Sequence, residues 1–169
     1  MAERACAGDT CCGAALRIIR TDPEAVSIAS FTMIDADIDL LVQQPWMMTG
    51  SDGSAGHPRM VATFREKYAG HVADRKVISL ASFIRQSTGR TANTLKIRQR
   101  GDLRPGYFAD VLVFDPTRHA QRAGYIYLHE LSVGVTTLLV NSVAPIDNSA
   151  MTAALPGRPR TAAPPCPPS

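Results

Sequence analysis

Apolar positions recur with two different periods along this chain, and the change from one to the other falls near Gly101. Before it the helical period dominates. Ala5, Cys12, Ala15, Leu16 and Ile19 stand at near-helical spacing, which predicts a helix within Ala2 to Arg20 that Thr21-Asp22-Pro23 stops. Val26 to Phe31 alternates as a strand does. Asp35 then reads as a helix cap ahead of Ile38, Leu41 and Val42, with Pro45 as the stop. Trp46 to Thr49 follows as a short buried strand, too brief and too uniformly apolar for a surface helix. Such a strand-helix-strand order predicts parallel pairing and a right-handed crossover. Arg59 to Tyr68 and Ser79 to Thr88 are further predicted helices, with Ser79 as a cap and Gly89 as a terminator.

After Gly101 the period moves toward two. Pro105-Gly106 is a turn signal ahead of the β-branched and aromatic run Ala109 to Phe114, and Thr136 to Val140 and Val143 to Ile146 are further strand candidates. Pro159 to Ser169 holds five prolines in eleven residues and is expected to be a disordered end without chemistry.

Composition narrows the function classes. With 45% hydrophobic and 20% charged residues the chain has the make-up of an ordinary globular protein. The net charge is +3, and its 18 basic residues are scattered rather than clustered with aromatics, so no nucleic-acid partner is expected. No run approaches the ~18 consecutive apolar residues of a membrane span, and Met1-Ala2-Glu3-Arg4 lacks a signal peptide's apolar stretch, so no membrane partner and a cytoplasmic location are expected. Cys6, Cys11, Cys12 and Cys166 include no C-x-x-C pair, and adjacent Cys11 and Cys12 diverge by about 100° on a helix, which favours packing thiols over a zinc site.

Candidate chemistry lies in Trp46-Met47-Met48-Thr49-Gly50-Ser51-Asp52-Gly53-Ser54-Ala55-Gly56-His57. An apolar run there delivers one carboxylate, Asp52, into a glycine-rich turn of the kind that rims a pocket. The alternative is an Asp-Gly turn whose side chain serves only its own backbone. His57 either lines that pocket or is a helix-entry residue before Pro58. Arg59 either grips a substrate carboxylate with its planar fork or makes a surface ion pair. Ser51 and Ser54 lack an identifiable base for a nucleophile's role, and His71, His119 and His129 read as packing or solvated residues.

Taken together, Thr49-Gly50-Ser51-Asp52-Gly53, Gly101-Asp102-Leu103-Arg104-Pro105-Gly106-Tyr107-Phe108-Ala109-Asp110-Val111-Leu112-Val113-Phe114-Asp115, Leu139-Val140-Asn141 and Leu155-Pro156-Gly157-Arg158 resemble the carboxyl-terminal part of metal-dependent amidohydrolases. The branch most similar is D-aminoacylase, or N-acyl-D-amino-acid deacylase. That resemblance implies an α/β fold in which residues 1–100 are the last strand-helix units of a (β/α)8 TIM-like barrel, residues 101–158 are part of a small β-sandwich domain, and residues 159–169 are a tail. A complete barrel needs about 250 residues, so a fragment is expected, its partner being the missing amino-terminal portion or another copy through self-association. The implied reaction is hydrolysis of the amide of a small N-acyl-D-amino acid, with zinc polarising the carbonyl and activating a water. Asp52 matches the Asp at the end of the last barrel strand, which acts as general base; the roles of general base and metal ligand for Asp52 are not separable from sequence. His57-Pro58-Arg59 resembles a His-Pro-Arg element of the same branch, which makes His57 and Arg59 the substrate-binding candidates.

Three departures qualify this. The chain lacks a His-x-His pair and the other histidines that hold such a metal, and a catalytic zinc ordinarily takes three protein ligands. Lys96 follows Leu95 where the family tends to have Gly, and Asn141-Ser142 stands where Asn-Gly makes a tight hairpin, which predicts positive φ at non-glycine residues. A non-catalytic remnant or accessory module is therefore the alternative reading. An in-frame His-x-His region upstream of Met1 in the nucleotide sequence would favour the enzyme.

Overall fold

In a computed structural model, residues 11–21, 32–53, 57, 59–119, 127 and 130–159 are described, and the chain divides into two compact units, Met1–Met33 and Ile34–Ser169. The first unit contributes helix α1 (Cys11–Thr21), which ends where Thr21 returns its hydroxyl to the Arg17 carbonyl at 2.9 Å. The strand expected over Val26 to Phe31 lies outside the described residues, as do Cys6, Cys166, His129 and residues 160–169.

The second unit opens with α2 (Asp35–Val42). Asp35 is not its cap: extended Ile34 occupies that position, and Asp35 and Asp37 sit in the first turn, where carboxylates oppose the positive end of the helix dipole. Trp46 to Thr49 is not a strand either. Trp46 lies in a turn with 62% of its surface exposed, and residues 47–53 run as irregular backbone. No strand edge borders that segment among the described residues, so its bonds go to a helix instead, as where the Thr49 amide donates to the Gln86 carbonyl at 3.1 Å.

Helix α3 (Arg59–Lys67) runs without a break into a π-helix, Tyr68–Asp74. Arg75 closes it and ties it to α2 through Asp39, 2.9 Å away. Helix α4 (Leu80–Ser87) starts as its sequence predicts, with the Ser79 hydroxyl accepting the Ser82 amide at 3.1 Å. Gly89 does not terminate it. It begins α5 (Gly89–Thr94), and its lack of a side chain serves a close approach, since a Cβ there would lie 2.8 Å from Oδ1 of Asp102. The core of this layer is Val42, Tyr68, Ile78 and Phe83, with Phe114 of the sheet packed against it; the Tyr68 ring meets Phe83 at 5.8 Å and Phe114 at 5.7 Å.

Four antiparallel strands follow in simple order: β1 (Val111–Phe114), β2 (Val135–Val140), β3 (Val143–Asp147) and β4 (Ala150–Met151). The register aligns Leu112, Leu138, Ile146 and Met151 across all four, giving one apolar row on one face. Both β2–β3 and β3–β4 turn on Asn-Ser, with φ of 52° and 67° at Asn141 and Ser142 and 48° and 65° at Asn148 and Ser149. Lys96 likewise has φ 54°, as the missing glycine predicts. Arg100 staples the approach to the sheet: it bonds Asp110 and Asn141 and lies 4.2 Å over the Phe108 ring.

Candidate functional site around Asp52

Asp52 sits in the loop that runs from α2 to α3, in the left-handed conformation at φ 45°. An Asp tolerates that region better than most residues, and there it turns its carboxylate outward, 88% exposed. Gly53 follows because the loop passes against α3, where a Cβ would come within 2.9 Å of Met60 Cα. The Asp52 carboxylate meets Arg59, whose Nη1 lies 3.1 Å from Oδ2. Nδ1 of His57 accepts the Arg59 amide at 3.0 Å and the Arg59 Nε–H at 3.3 Å. A ring nitrogen that accepts carries no proton, so His57 here satisfies the first turn of α3 and orients Arg59. The three residues singled out in the sequence thus form one constellation. Ser54, Ala55, Gly56 and Pro58 between them lie outside the described residues.

Beneath the loop is a polar node that sequence reading did not find. Lys67 is 9% exposed, and its Nζ donates to Thr49 Oγ1 at 2.9 Å and Gln86 Oε1 at 2.7 Å. The Gln86 amide donates to the Val42 carbonyl at 2.9 Å, Ser87 Oγ donates to Thr49 Oγ1 at 2.9 Å, and Arg90 reaches the Met47 carbonyl at 3.1 Å. Burial, and secondarily the charge of Arg90, lowers the Lys67 ammonium to about 8. Spacing puts Arg59, Thr63 and Lys67 at i, i+4 and i+8 on one helix face, which places them on one stripe but carries no sign that Lys67 is buried.

Among the described residues no group of three His, Cys, Asp or Glu side chains is placed to hold a metal ion. Asp52 and His57 are both engaged with Arg59, so the donor set described does not fit a catalytic zinc. A cleft of about 1280 Å³ lies elsewhere, between α4, α5 and the apolar row of the sheet, with Arg65 and His119 on its wall. Asp52, His57 and Arg59 do not line it. No described helix is long and apolar enough to cross a membrane.

No family model matches the chain. A D-aminoacylase of Alcaligenes xylosoxydans xylosoxydans is 32% identical over 132 residues, covering 76% of this chain and 27% of the relative. The N-acyl-D-aspartate deacylase of the same organism is 31% identical over 132 residues, covering 76% and 26%. Among solved structures, a D-aminoacylase with a binuclear metal centre superposes with a TM-score of 0.69 at 30% identity, over 73% of this chain and 27% of that one. The N-acyl-D-glutamate deacylase of Bordetella bronchiseptica, bound to zinc and a phosphonate mimic of the tetrahedral intermediate, gives 0.65 at 32% identity, over 68% and 25%. The chain spans about a quarter of the length of these proteins. Over the part that it spans, the chain is similar in sequence and in fold to the D-aminoacylases, a subset of the amidohydrolases.

Proposed function

We propose that this chain acts as part of a metal-dependent deacylase that hydrolyses the amide bond of N-acyl-D-amino acids, with Asp52 as its general base. The observation that carries the reading is the presentation of Asp52: a carboxylate held outward by a strained turn, beside a guanidinium, on a chain whose relatives are such deacylases. In this reading Asp52 takes the proton of the attacking water and returns it to the leaving amine. Arg59 pairs with the α-carboxylate of the substrate through its planar fork, and His57 orients Arg59. Zinc belongs to the complete catalytic unit, where its ligands would come from residues beyond those described. Residues 1–100 are then the carboxyl-terminal portion of the barrel and residues 101–158 part of the β-sandwich, completed by an amino-terminal portion.

A chimera tests this. This chain is substituted for the matching quarter of the Alcaligenes D-aminoacylase, and amine release is followed with N-acyl-D-glutamate, N-acyl-D-aspartate and an apolar N-acyl-D-amino acid. Turnover is expected, and Asp52→Asn should lower kcat by a factor of about 10² or more at an unchanged melting temperature. Near-normal kcat in Asp52→Asn would return Asp52 to the role of a turn residue. The second reading, a non-catalytic remnant or accessory module, is favoured by the incomplete ligand set. It gains if the parent chimera folds and binds zinc but releases no amine.

A further inference from the structure

Three side chains on one stripe of α3 grip three successive points of the Asp52 loop in antiparallel order. Arg59 holds the Asp52 carboxylate at 3.1 Å, Thr63 Oγ1 reaches the Ser51 carbonyl at 3.4 Å, and Lys67 holds the Thr49 hydroxyl at 2.9 Å. Their strengths differ greatly. The Arg59 pair is exposed to water and screened, and Thr63 shares its hydroxyl with the Arg59 carbonyl at 3.0 Å, which is the shorter bond. Lys67 alone is buried, and it also fixes Gln86, whose backbone carbonyl accepts the Thr49 amide.

Among the described residues the ammonium meets no counter-ion. Among the described residues no carboxylate pairs with Lys67, and its two acceptors are neutral oxygens. A buried cation satisfied only by neutral groups opposes folding, because its lost hydration is not replaced by an opposite charge. An apolar residue of similar length would remove that cost and in exchange leave Gln86 Oε1 without its donor, so the ammonium brings the fold little net stability. Lys67 is therefore a poor choice for stability at a site where no described strand pairs with the loop.

The geometry points to Lys67 as a positioning residue for Asp52, whose buried Nζ, bridging Thr49 Oγ1 and Gln86 Oε1, fixes the loop that carries the carboxylate. Its effect passes through Thr49, Gly50 and Ser51, three peptide units that no described strand pairs with. The consequence for catalysis rests on the reading of Asp52 as general base; the consequence for the loop does not.

Lys67→Met, Lys67→Arg and Thr49→Val in the full chain test it, by backbone NMR relaxation and amide exchange alongside thermal melting. In Lys67→Met the melting temperature is expected to hold or rise, while order parameters of Gly50 to Gly53 fall from about 0.85 to below about 0.6 and the Thr49 amide exchanges at least about tenfold faster. Lys67→Arg keeps N–H donors and should restore most of that order. Thr49→Val, nearly isosteric, should reproduce the loss and carries the test if Lys67→Met does not fold. A lower melting temperature with unchanged loop order in Lys67→Met, or an ordered loop in Thr49→Val, would overturn the proposal and make Lys67 a packing residue. In the chimera, Lys67→Met should lower kcat at least about tenfold with little change in KM. Loss of loop order with kcat unchanged would leave the positioning role standing and sink the assignment of Asp52 as base.

Discussion

Arg59 and Asp52 face each other across seven residues, Nη1 to Oδ2 3.1 Å, with the guanidinium 45% and the carboxylate 88% exposed. So open a pair contributes at most about 1 kcal/mol. Arg59→Gln should therefore shift the melting temperature of the chain by no more than a few degrees, and added salt should shrink the shift further. In the chimera the same change should raise KM for N-acyl-D-amino acids at least about tenfold while kcat changes little, as expected of a group that binds the substrate carboxylate. A fall in kcat at constant KM would instead place the work of Arg59 on Asp52.

His119 predicts how the fold responds to acid. Its ring packs 5.2 Å from Tyr68 and 4.5 Å from Phe114, and its Nδ1 is buried without a hydrogen-bond partner. Burial, then the charge of Arg65, lowers it to about 4 from an ordinary 6.5. Between those values the unfolded chain binds a proton that the folded chain refuses. The stability this ring contributes is thus complete above pH 6.5 and is lost as pH falls from 6.5 toward 4, at about 1.4 kcal/mol per unit. Melting scans from pH 7.5 to 4.5 should show His119→Phe losing less stability over that range than the parent. Parallel curves would mean that His119 does not govern the acid response.

Two hairpins carry a correctable strain. Ser142 and Ser149 both hold φ near 65°, at 67° and 65°, which suits glycine and costs other residues about 1 kcal/mol. Ser142→Gly and Ser149→Gly should each raise the unfolding free energy by up to about 1 kcal/mol, less the extra freedom that glycine gives the unfolded chain. Urea titration of the two single variants and the double variant checks it. A loss in all three would mean that the serine hydroxyls matter more than the backbone.

The apolar row across the sheet predicts association. Leu112 is 49% and Met151 69% exposed, and Leu155 beyond them is 95% exposed. Apolar side chains this open on one sheet bury area by pairing with another surface. The purified chain is expected to elute as oligomers whose size grows with concentration in light scattering. Leu112→Lys with Met151→Lys should reduce it. A monomer with a sharp, cooperative melt would count against the fragment model.

Local rules were legible in the sequence where one side chain decides the outcome. Ser79 caps α4 because its own hydroxyl reaches the Ser82 amide, and Lys96, Asn141 and Ser142 take positive φ because the turn geometry demands it whatever the residue. The strands after Gly101 followed from period-two patterning, and the grouping of Asp52, His57 and Arg59 from their closeness in sequence.

What needed the tertiary structure was every outcome set by a distant partner. Trp46 to Thr49 has a strand's composition, yet a strand exists only beside an edge, and the Thr49 amide found the Gln86 carbonyl instead. Gly89 has a terminator's identity, but its use is set by Asp102 pressing against it. Lys67 stands near the end of the helix predicted over Arg59 to Tyr68, and nothing local to it marks it out. Only folding removes its water and leaves Thr49 and Gln86 as its acceptors, because burial of a charge depends on which elements pack over it, and no local pattern encodes that.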